Sequence, residues 1–148
     1  MMDEKFLEYF KIIGMTEPIL KRVTELYDYS KALLPADVFV DVRVDEYIRD
    51  DGSRAYETIC FYGRMFSSGI RNFMTSNAIN ISGLEQNSIV LALVEIRDYD
   101  LKKATDMSRL NIKLQFVDDV RGNWKASKEN CDHHMELFRK YVLPRIRH

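Results

Sequence analysis

The sequence predicts an α+β fold, in which an antiparallel sheet or partly open barrel of about six to seven strands is capped by a C-terminal helix. Three patterns support this prediction: two amphipathic segments at the start, alternating apolar residues in the middle, and apolar residues with helical spacing at the end. We expect the 148 residues to form one domain, with a two-helix prefix over 1–35 and the β-fold with its final helix over 36–148.

The prefix carries the start and stop signals of two helices. Asp3 is a suitable N-cap for the first, which we expect to end near Gly14. Thr16-Glu17-Pro18 is typical of a second helix start, and Pro35 is expected to end that helix. The apolar faces fit two interpretations, packing against the chain's own sheet or forming a dimer interface.

A hairpin follows the prefix. Its first strand alternates mostly charged residues with four valines: Val38, Val40, Val42 and Val44. This alternation predicts one buried face and one solvent-exposed face. Asp50-Asp51-Gly52-Ser53 predicts a tight turn in which glycine supplies a positive φ, and Tyr56–Tyr62 predicts the returning strand.

A third strand is predicted after a Ser67-Ser68-Gly69 turn, because Ile70, Phe73 and Met74 follow it. Asn77–Ser82 is then interpreted as a connection.

The second half contains three further strand patterns. The apolar run Ile89–Val94 is typical of a strand covered on both faces, whereas Lys102–Asp106 fits either a helical turn or an exposed loop. Leu110–Phe116 alternates as a half-buried strand does, Asp118–Gly122 predicts a turn, and Asn123–Ala126 is expected to pair back.

The final helix is predicted over Ser127–Val142, with Ser127 as its N-cap. Its apolar stripe recurs at helical spacing: Cys131, Met135, Phe138, Val142 and Ile146. Pro144 should end or kink the helix near Leu143, because proline lacks the backbone donor and clashes with the preceding turn.

Composition excludes several classes of function. The net charge is −1, from 22 basic and 23 acidic residues. The chain therefore lacks the surplus of basic residues that is typical of nucleic-acid-binding proteins. Two cysteines do not form a secreted disulfide framework. No apolar run approaches the length of a transmembrane segment, and Met1–Lys5 lacks the layout of a signal peptide, so we expect a cytoplasmic protein.

Candidate catalytic and metal-binding residues are few, and no cofactor is expected. Cys131 and His134 are three residues apart and suit two zinc ligands, but no motif supplies a third. A buried cysteine beside surface histidines is the preferred interpretation. Cys60 lies among apolar residues, which favours core packing over a nucleophile. Ser67-Ser68-Gly69 lacks the flanking glycines of a nucleophile elbow.

Three carboxylates on the predicted hairpin, Asp41, Asp45 and Glu57, have the residue type for acid–base chemistry. On the solvent-exposed face of a sheet they would be hydrated, with Arg43 as a partner. We therefore expect them to be solvated.

Binding residues are sought among aromatic and basic side chains. Phe39 falls on the polar side of the valine strand, and Trp124 precedes the final helix; exposed aromatics beside charge often mark binding patches. Arg121, Lys125 and Lys128 form a modest basic cluster near the helix start, where an anion would be favoured. The alternative for this cluster is ordinary solvated charge.

The order of these elements resembles the pleckstrin-homology-like (PH-like) fold. The matching segments are the Val38–Val44 hairpin, the Leu110–Phe116 strand, and Trp124–Ser127 before the helix, over about residues 36–142. The resemblance implies a domain that binds lipids, peptides or proteins. Asp50 and Asp51 at the hairpin tip would repel a phosphoinositide, so phosphoinositide binding is not carried over.

Two main hypotheses for function follow, besides a weaker option of anion or membrane-surface binding through Arg121, Lys125 and Lys128. The first is a non-enzymatic cytoplasmic binding domain of PH-like type, with a protein partner or a second copy of the chain. The alternative is a small-ligand-binding or enzymatic domain with a cleft between the helical prefix and the sheet. A pocket that gathers Tyr62, Cys60 and a buried carboxylate would support the alternative.

Overall fold

The computed structural model describes residues 2–34, 39–99 and 107–147, without the side chains of 97–99, 107 and 108. It contains three α-helices and seven strands, in the following order: α1 Glu4–Ile12, α2 Glu17–Leu33, β1 Asp41–Ile48, β2 Arg54–Tyr62, β3 Phe66–Arg71, β4 Asn80–Gly83, β5 Ile89–Tyr99, β6 Met107–Phe116, β7 Arg121–Ser127 and α3 Asn130–Leu137. A π-helical turn over Phe138–Val142 and a 3₁₀ turn over Leu143–Arg145 continue α3. No helix in these ranges is long and apolar enough to cross a membrane.

The strands form two antiparallel sheets, β1-β2-β3-β4 and β5-β6-β7, and not a closed barrel. The predicted α+β class is confirmed, with the prefix helices and the C-terminal helix in their expected places. Side chains on the two faces of the first sheet belong to two different apolar cores. One core packs under α1 and α2, and the other lies between the first sheet, the second sheet and the C-terminal segment.

The prefix packs against the chain's own first sheet. Phe6, Phe10 and Val23 are fully buried in the first core together with Val44 and Phe61 from the sheet. The predicted N-cap is confirmed, because the Asp3 carboxylate accepts a hydrogen bond from the Lys5 backbone N–H at 2.7 Å. Gly14 follows α1 with a φ of +86°, which glycine adopts without a Cβ clash.

The prediction of one dry and one wet face for β1 is wrong. Val42 and Val44 are buried in the first core, but the charged residues that alternate with them are buried too: Asp41, Arg43 and Asp45. The reason is that the second sheet and the C-terminal segment cover this face, and their polar groups satisfy the charges. Val40 is 40% exposed, and Val38 lies outside the described residues.

Two carboxylates of β1 connect the two sheets. In the described residues no backbone ladder joins β1 to β7. Instead, Asp45 accepts from the Lys125 N–H at 3.3 Å, and Glu46 accepts from the backbone N–H and hydroxyl of Ser127 at 3.2 and 2.9 Å. Arg54 neutralises Glu46 with a bond of 2.5 Å. Side-chain oxygens thus replace a strand ladder at this junction.

Two assignments in the middle of the chain are corrected. Ser67-Ser68-Gly69 is part of β3 and not a turn, and the expected connection over Asn77–Ser82 contains the start of β4. β3 pairs with a strand on each side, and Ser68 is buried between them. Small polar residues at such a position produce no apolar alternation in the sequence, so the sequence pattern does not predict the strand there.

In the second sheet, β6 and β7 pair as predicted, and Leu110, Ile112 and Leu114 face the second core. β5 is a strand, but it is not covered on both faces, because Leu91 and Leu93 are 57% and 50% exposed. It lies at the sheet edge, where nothing within the described residues packs over its outer face. Lys102–Asp106 lies outside the described residues.

The C-terminal helix begins at Asn130 with Glu129 as its N-cap, two residues later than predicted, because Ser127 belongs to β7 and donates to Glu46. Its stripe is confirmed, with Cys131, Phe138 and Val142 buried in the second core. The predicted end near Leu143 is also confirmed. The Leu143 N–H bonds to the Phe138 carbonyl, and Pro144 then provides no donor to continue the helix.

Candidate ligand-binding site

A cleft of about 510 Å³ opens between the two sheets, on the face of the first sheet that points away from α1 and α2. β1 and β2 supply its floor through Arg43, Asp45, Cys60 and Tyr62, because alternate residues of a strand share one face. β7 supplies Trp124. A pocket that gathers Tyr62, Cys60 and a buried carboxylate is therefore present, but it lies on the opposite face of the sheet from the prefix and not where the alternative hypothesis places it. The prefix–sheet interface itself is filled by the first core.

A fully buried ion pair lies at the floor of this inter-sheet cleft. Arg43 donates to both carboxylate oxygens of Asp45 at 3.1 and 3.0 Å, and its third nitrogen donates to the Tyr62 hydroxyl. The guanidinium also packs over the Trp124 ring at 4.1 Å. Burial raises the pKa of Asp45. Burial lowers the pKa of Arg43, but Asp45, with smaller contributions from Tyr62 and Cys60, more than offsets it, so the pKa of that guanidinium is raised. The arginine therefore stays charged.

The other titratable groups of the floor are held in their neutral forms. Burial raises the pKa of the Cys60 thiol, and it raises that of the Tyr62 phenol well above its ordinary value. The Tyr62 ring is fixed by stacking on Tyr141 at a centroid distance of 4.4 Å. Neither group is ionised near neutral pH, so the floor presents no activated nucleophile or base.

Arg145 lies at the wall of the cleft with a different set of partners. Its Nε donates to the Ser88 hydroxyl at 2.9 Å, and Nη2 lies 3.5 Å from the Gly83 carbonyl oxygen. The guanidinium packs against Phe116 at 5.2 Å. Among the described residues it forms no ion pair with a carboxylate. Burial lowers its pKa, because desolvation disfavours the charged form and the attraction of neighbouring groups, Glu85 among them, offsets only part of that effect.

A second groove, of about 360 Å³, lies between α1 and α3. Its most buried polar side chains, His133 and Asp41, already have partners in the fold. The His133 ring stacks on Tyr9 at 3.9 Å, and its Nε2 lies 2.6 Å from the Val42 carbonyl oxygen. Asp41 accepts from Lys5, Lys140 and Tyr141 at 3.1, 2.7 and 2.5 Å. The inter-sheet cleft is the better candidate because Arg145 there hydrogen-bonds to neutral oxygens and forms no ion pair within the described residues.

The predicted site residues separate into two groups. Arg121 and Trp124 line the inter-sheet cleft. The interpretation of Trp124 and Phe39 as exposed aromatics is wrong, since Trp124 is 5% exposed and Phe39 packs against Tyr27 and Phe61. Both rings lie inside because the second sheet and α2 supply partners that local sequence does not reveal.

Lys125 and Lys128 do not line the cleft. The Lys125 ammonium lies 3.7 Å from Glu57, which is half-buried. Lys128 is exposed, and its carbonyl accepts from the Cys131 N–H at 3.1 Å at the start of α3. The predicted cluster is thus divided between the cleft wall and the helix start.

Two of the three hairpin carboxylates are not solvated as predicted, because Asp41 and Asp45 are buried in polar networks, whereas Glu57 is 36% exposed. Arg43 is their neighbour, but it pairs with Asp45 alone. Sequence analysis also missed Arg145 as a site residue. The one available signal was an arginine directly after the helix-ending Pro144, close to the buried stripe.

The Cys131–His134 pair has no arrangement for a metal. Cys131 is buried as expected, and burial raises its pKa to about 12. His134 is fully buried and not on the surface; its Nε2 donates to the Val44 carbonyl at 2.8 Å. No cluster of three or more His, Cys, Asp or Glu side chains suits a metal ion within the described ranges.

Comparisons of this chain with protein-family models, with curated proteins and with solved structures find no match.

Proposed function

We propose that this chain is a non-enzymatic binding domain of PH-like architecture that takes its ligand between the two sheets. The observation that carries the proposal is Arg145, a half-buried guanidinium on the cleft wall that hydrogen-bonds to neutral oxygens. The order of four and then three antiparallel strands, followed by a helix, supports the PH-like assignment. The two N-terminal helices are an addition to that arrangement.

Binding is favoured over catalysis by the protonation states of the floor. Cys60 and Tyr62 keep their protons, and Asp45 is held in a pair with Arg43. A general base or nucleophile requires a group whose pKa is tuned toward the working pH. Here burial raises the pKa values of the Cys60 thiol and the Tyr62 phenol, which moves them away from a neutral working pH.

The cysteines and the net charge support a compartment and a class of partner. Two free, buried thiols suit a reducing cytoplasm. A net charge of −1 favours a partner other than nucleic acid. The ligand we propose is a small molecule, because the cleft volume lies within the range of about 300–1,000 Å³ that is typical of small-molecule sites.

The chain's one tryptophan is a built-in reporter for the test. A panel of small anionic, neutral and cationic compounds is titrated into ¹⁵N-labelled protein, and amide and indole resonances are followed by NMR. We expect the Trp124 indole to shift with at least one class, together with the amide of Ser88. Resonances of the α1–α3 groove around His133 are the internal control.

The proposal fails if no compound of any charge class moves the cleft resonances. The same spectra monitor the compounds themselves. A new product resonance that grows with time would instead support the enzymatic alternative.

A further inference from the structure

We propose that the ligand of the inter-sheet cleft is a small organic monoanion, a carboxylate on an apolar body, whose carboxylate pairs with Arg145. This inference rests on the proposed function, because it names the class of ligand for the same cleft. It is argued from charge, desolvation and the apolar rim.

The charge of the lining indicates an anion with a single charge. Apart from the neutral Arg43–Asp45 pair, the cleft is lined by three arginines and two carboxylates: Arg71, Arg121, Arg145, Glu85 and Asp118. One positive charge is therefore in excess. A ligand with two negative charges would be attracted by a second arginine, but its second charge would also be repelled by the carboxylates of Glu85 and Asp118 in the same cleft.

Arg145 is the arginine best prepared for a carboxylate. Ser88 fixes its orientation, since the serine hydroxyl accepts from Arg145 and donates to the Glu85 carbonyl at 2.8 Å. Arg71 and Arg121 are exposed, so they retain most of their hydration. The half-buried fork of Arg145 has lost hydration, and among the described residues no carboxylate lies within ion-pair distance of it; Glu85 attracts it only from farther away. A planar carboxylate matches that fork in geometry and charge.

The remainder of the ligand is expected to be apolar. Phe116 packs against the Arg145 guanidinium, and the β6–β7 turn presents Val117 and Val120 at the rim with 50% and 55% of their surface exposed. Apolar groups beside a fixed charged group are typical of sites for small amphiphilic ligands. An aromatic or branched body would cover this rim.

The test compares phenylacetate with phenylacetamide, its neutral isostere, and with phenyl phosphate and inorganic phosphate. Binding is measured by NMR titration at one ionic strength. We expect phenylacetate to bind about 10- to 100-fold more tightly than phenylacetamide, the effect of a charge-assisted hydrogen bond. Arg145→Gln should remove that difference. Arg139→Gln is the matched control, because Arg139 is exposed on the π-helical turn and does not line the cleft.

Arg145→Lys keeps the charge without the planar fork, and we expect it to retain part of the preference. This variant also keeps the test valid if Arg145→Gln does not fold. Equal binding of phenylacetamide and phenylacetate overturns the carboxylate inference but leaves cleft binding intact. Tighter binding of phenyl phosphate or inorganic phosphate overturns the single-charge argument. If no compound moves the cleft resonances, the proposed function fails as well.

Discussion

Buried ionisable residues carry much of the specificity of this fold, and Glu46 is the most connected of them. Its side chain is fully buried, and it accepts from Arg54, Ser127 and Asn130. Three separate segments therefore depend on one carboxylate. Such a network stabilises one arrangement because each donor would lose its partner in any other.

Replacing Glu46 with Gln should lower the free energy of unfolding by about 1.5–3 kcal/mol, because the buried hydrogen bonds to Arg54 lose their negative charge, while Glu129 remains as a second carboxylate partner of Arg54. Urea unfolding measures the change. Glu57→Gln is the matched control, since Glu57 is 36% exposed and its ion pair with Lys125 is long; there we expect a change within about 0.5 kcal/mol. Equal effects of the two substitutions would contradict the structural role of Glu46.

His134 should make stability depend on pH. Burial, followed by the positive charge of Arg43, lowers its pKa well below the ordinary 6.5. Asp45 lies 3.7 Å away, but it is already paired with Arg43. The Nε2–H donates to Val44, and Nδ1 has no hydrogen-bond partner in the described structure. The neutral Nε2–H tautomer is therefore the native form.

Because the folded-state pKa is depressed, the unfolded chain binds more protons below pH 6.5, and stability falls as pH falls. We expect His134 to contribute a loss of about 1.4 kcal/mol between pH 7.5 and 5.5. His133 acts in the same direction, since burial also lowers its pKa. Urea unfolding of wild type and His134→Gln at both pH values isolates the His134 share. An imidazole of His134 that titrates near 6.5 by NMR would contradict this account.

At the scale of elements, α1 is the helix that we expect to contribute most to the packing of the first core. Phe6 and Phe10 fill the first core, and the Tyr9 hydroxyl both donates to Asn130 at 2.6 Å and accepts from the Val44 N–H at 3.0 Å. The helix therefore contacts β1 and α3 at once. Its amphipathic pattern alone predicts only that one face is buried.

Phe10→Ala should lower the free energy of unfolding by about 3–5 kcal/mol, because a fully buried aromatic ring leaves a cavity. Ile12→Ala on the same helix is the control, since Ile12 is 57% exposed and its loss should change stability by about 0.5 kcal/mol or less. Thermal unfolding of both variants measures the contrast. Similar losses for the two residues would mean that α1 does not pack as described.

At the scale of the whole molecule, the prefix helices form a layer that covers one face of the first sheet. Its apolar face packs on the first sheet, so it is not available to a second copy of the chain. What remains exposed on α2 includes Tyr29 and Leu33, on a surface otherwise rich in charge. The dimer proposed through the prefix thus competes with contacts the prefix already makes.

We expect Leu33→Lys to leave the molecular mass in solution unchanged, because the apolar face of the prefix is already packed on the first sheet and Leu33, 62% exposed, lies outside that core. Light scattering after size-exclusion chromatography, across a range of protein concentrations, measures the mass. A dimer in wild type that dissociates in Leu33→Lys would contradict this prediction and restore the prefix as an interface.

Local sequence determined the elements whose pattern is regular. The Asp3 cap, the β1–β2 turn with Gly52 at a φ of +86°, the β6–β7 hairpin and the end of the helix before Pro144 were all predictable. Each depends on interactions within a few residues, such as capping, positive φ or a missing donor. The edge position of β5 and the strand at Ser67–Gly69 depend on which strands lie alongside, and no periodicity reports that.

The candidate site was decided by tertiary structure. Arg43 and Arg145 are about a hundred residues apart in the chain, yet they line one cleft. The alternation of charged and apolar residues along β1 is the same as that of a strand with one solvent-exposed face. Such alternation reports the polarity of a face and not its exposure. Sequence determined that one face of β1 is polar. Only the folding of β7 and the C-terminal segment over that face decided that its charges are buried, since burial depends on distant partners that satisfy them.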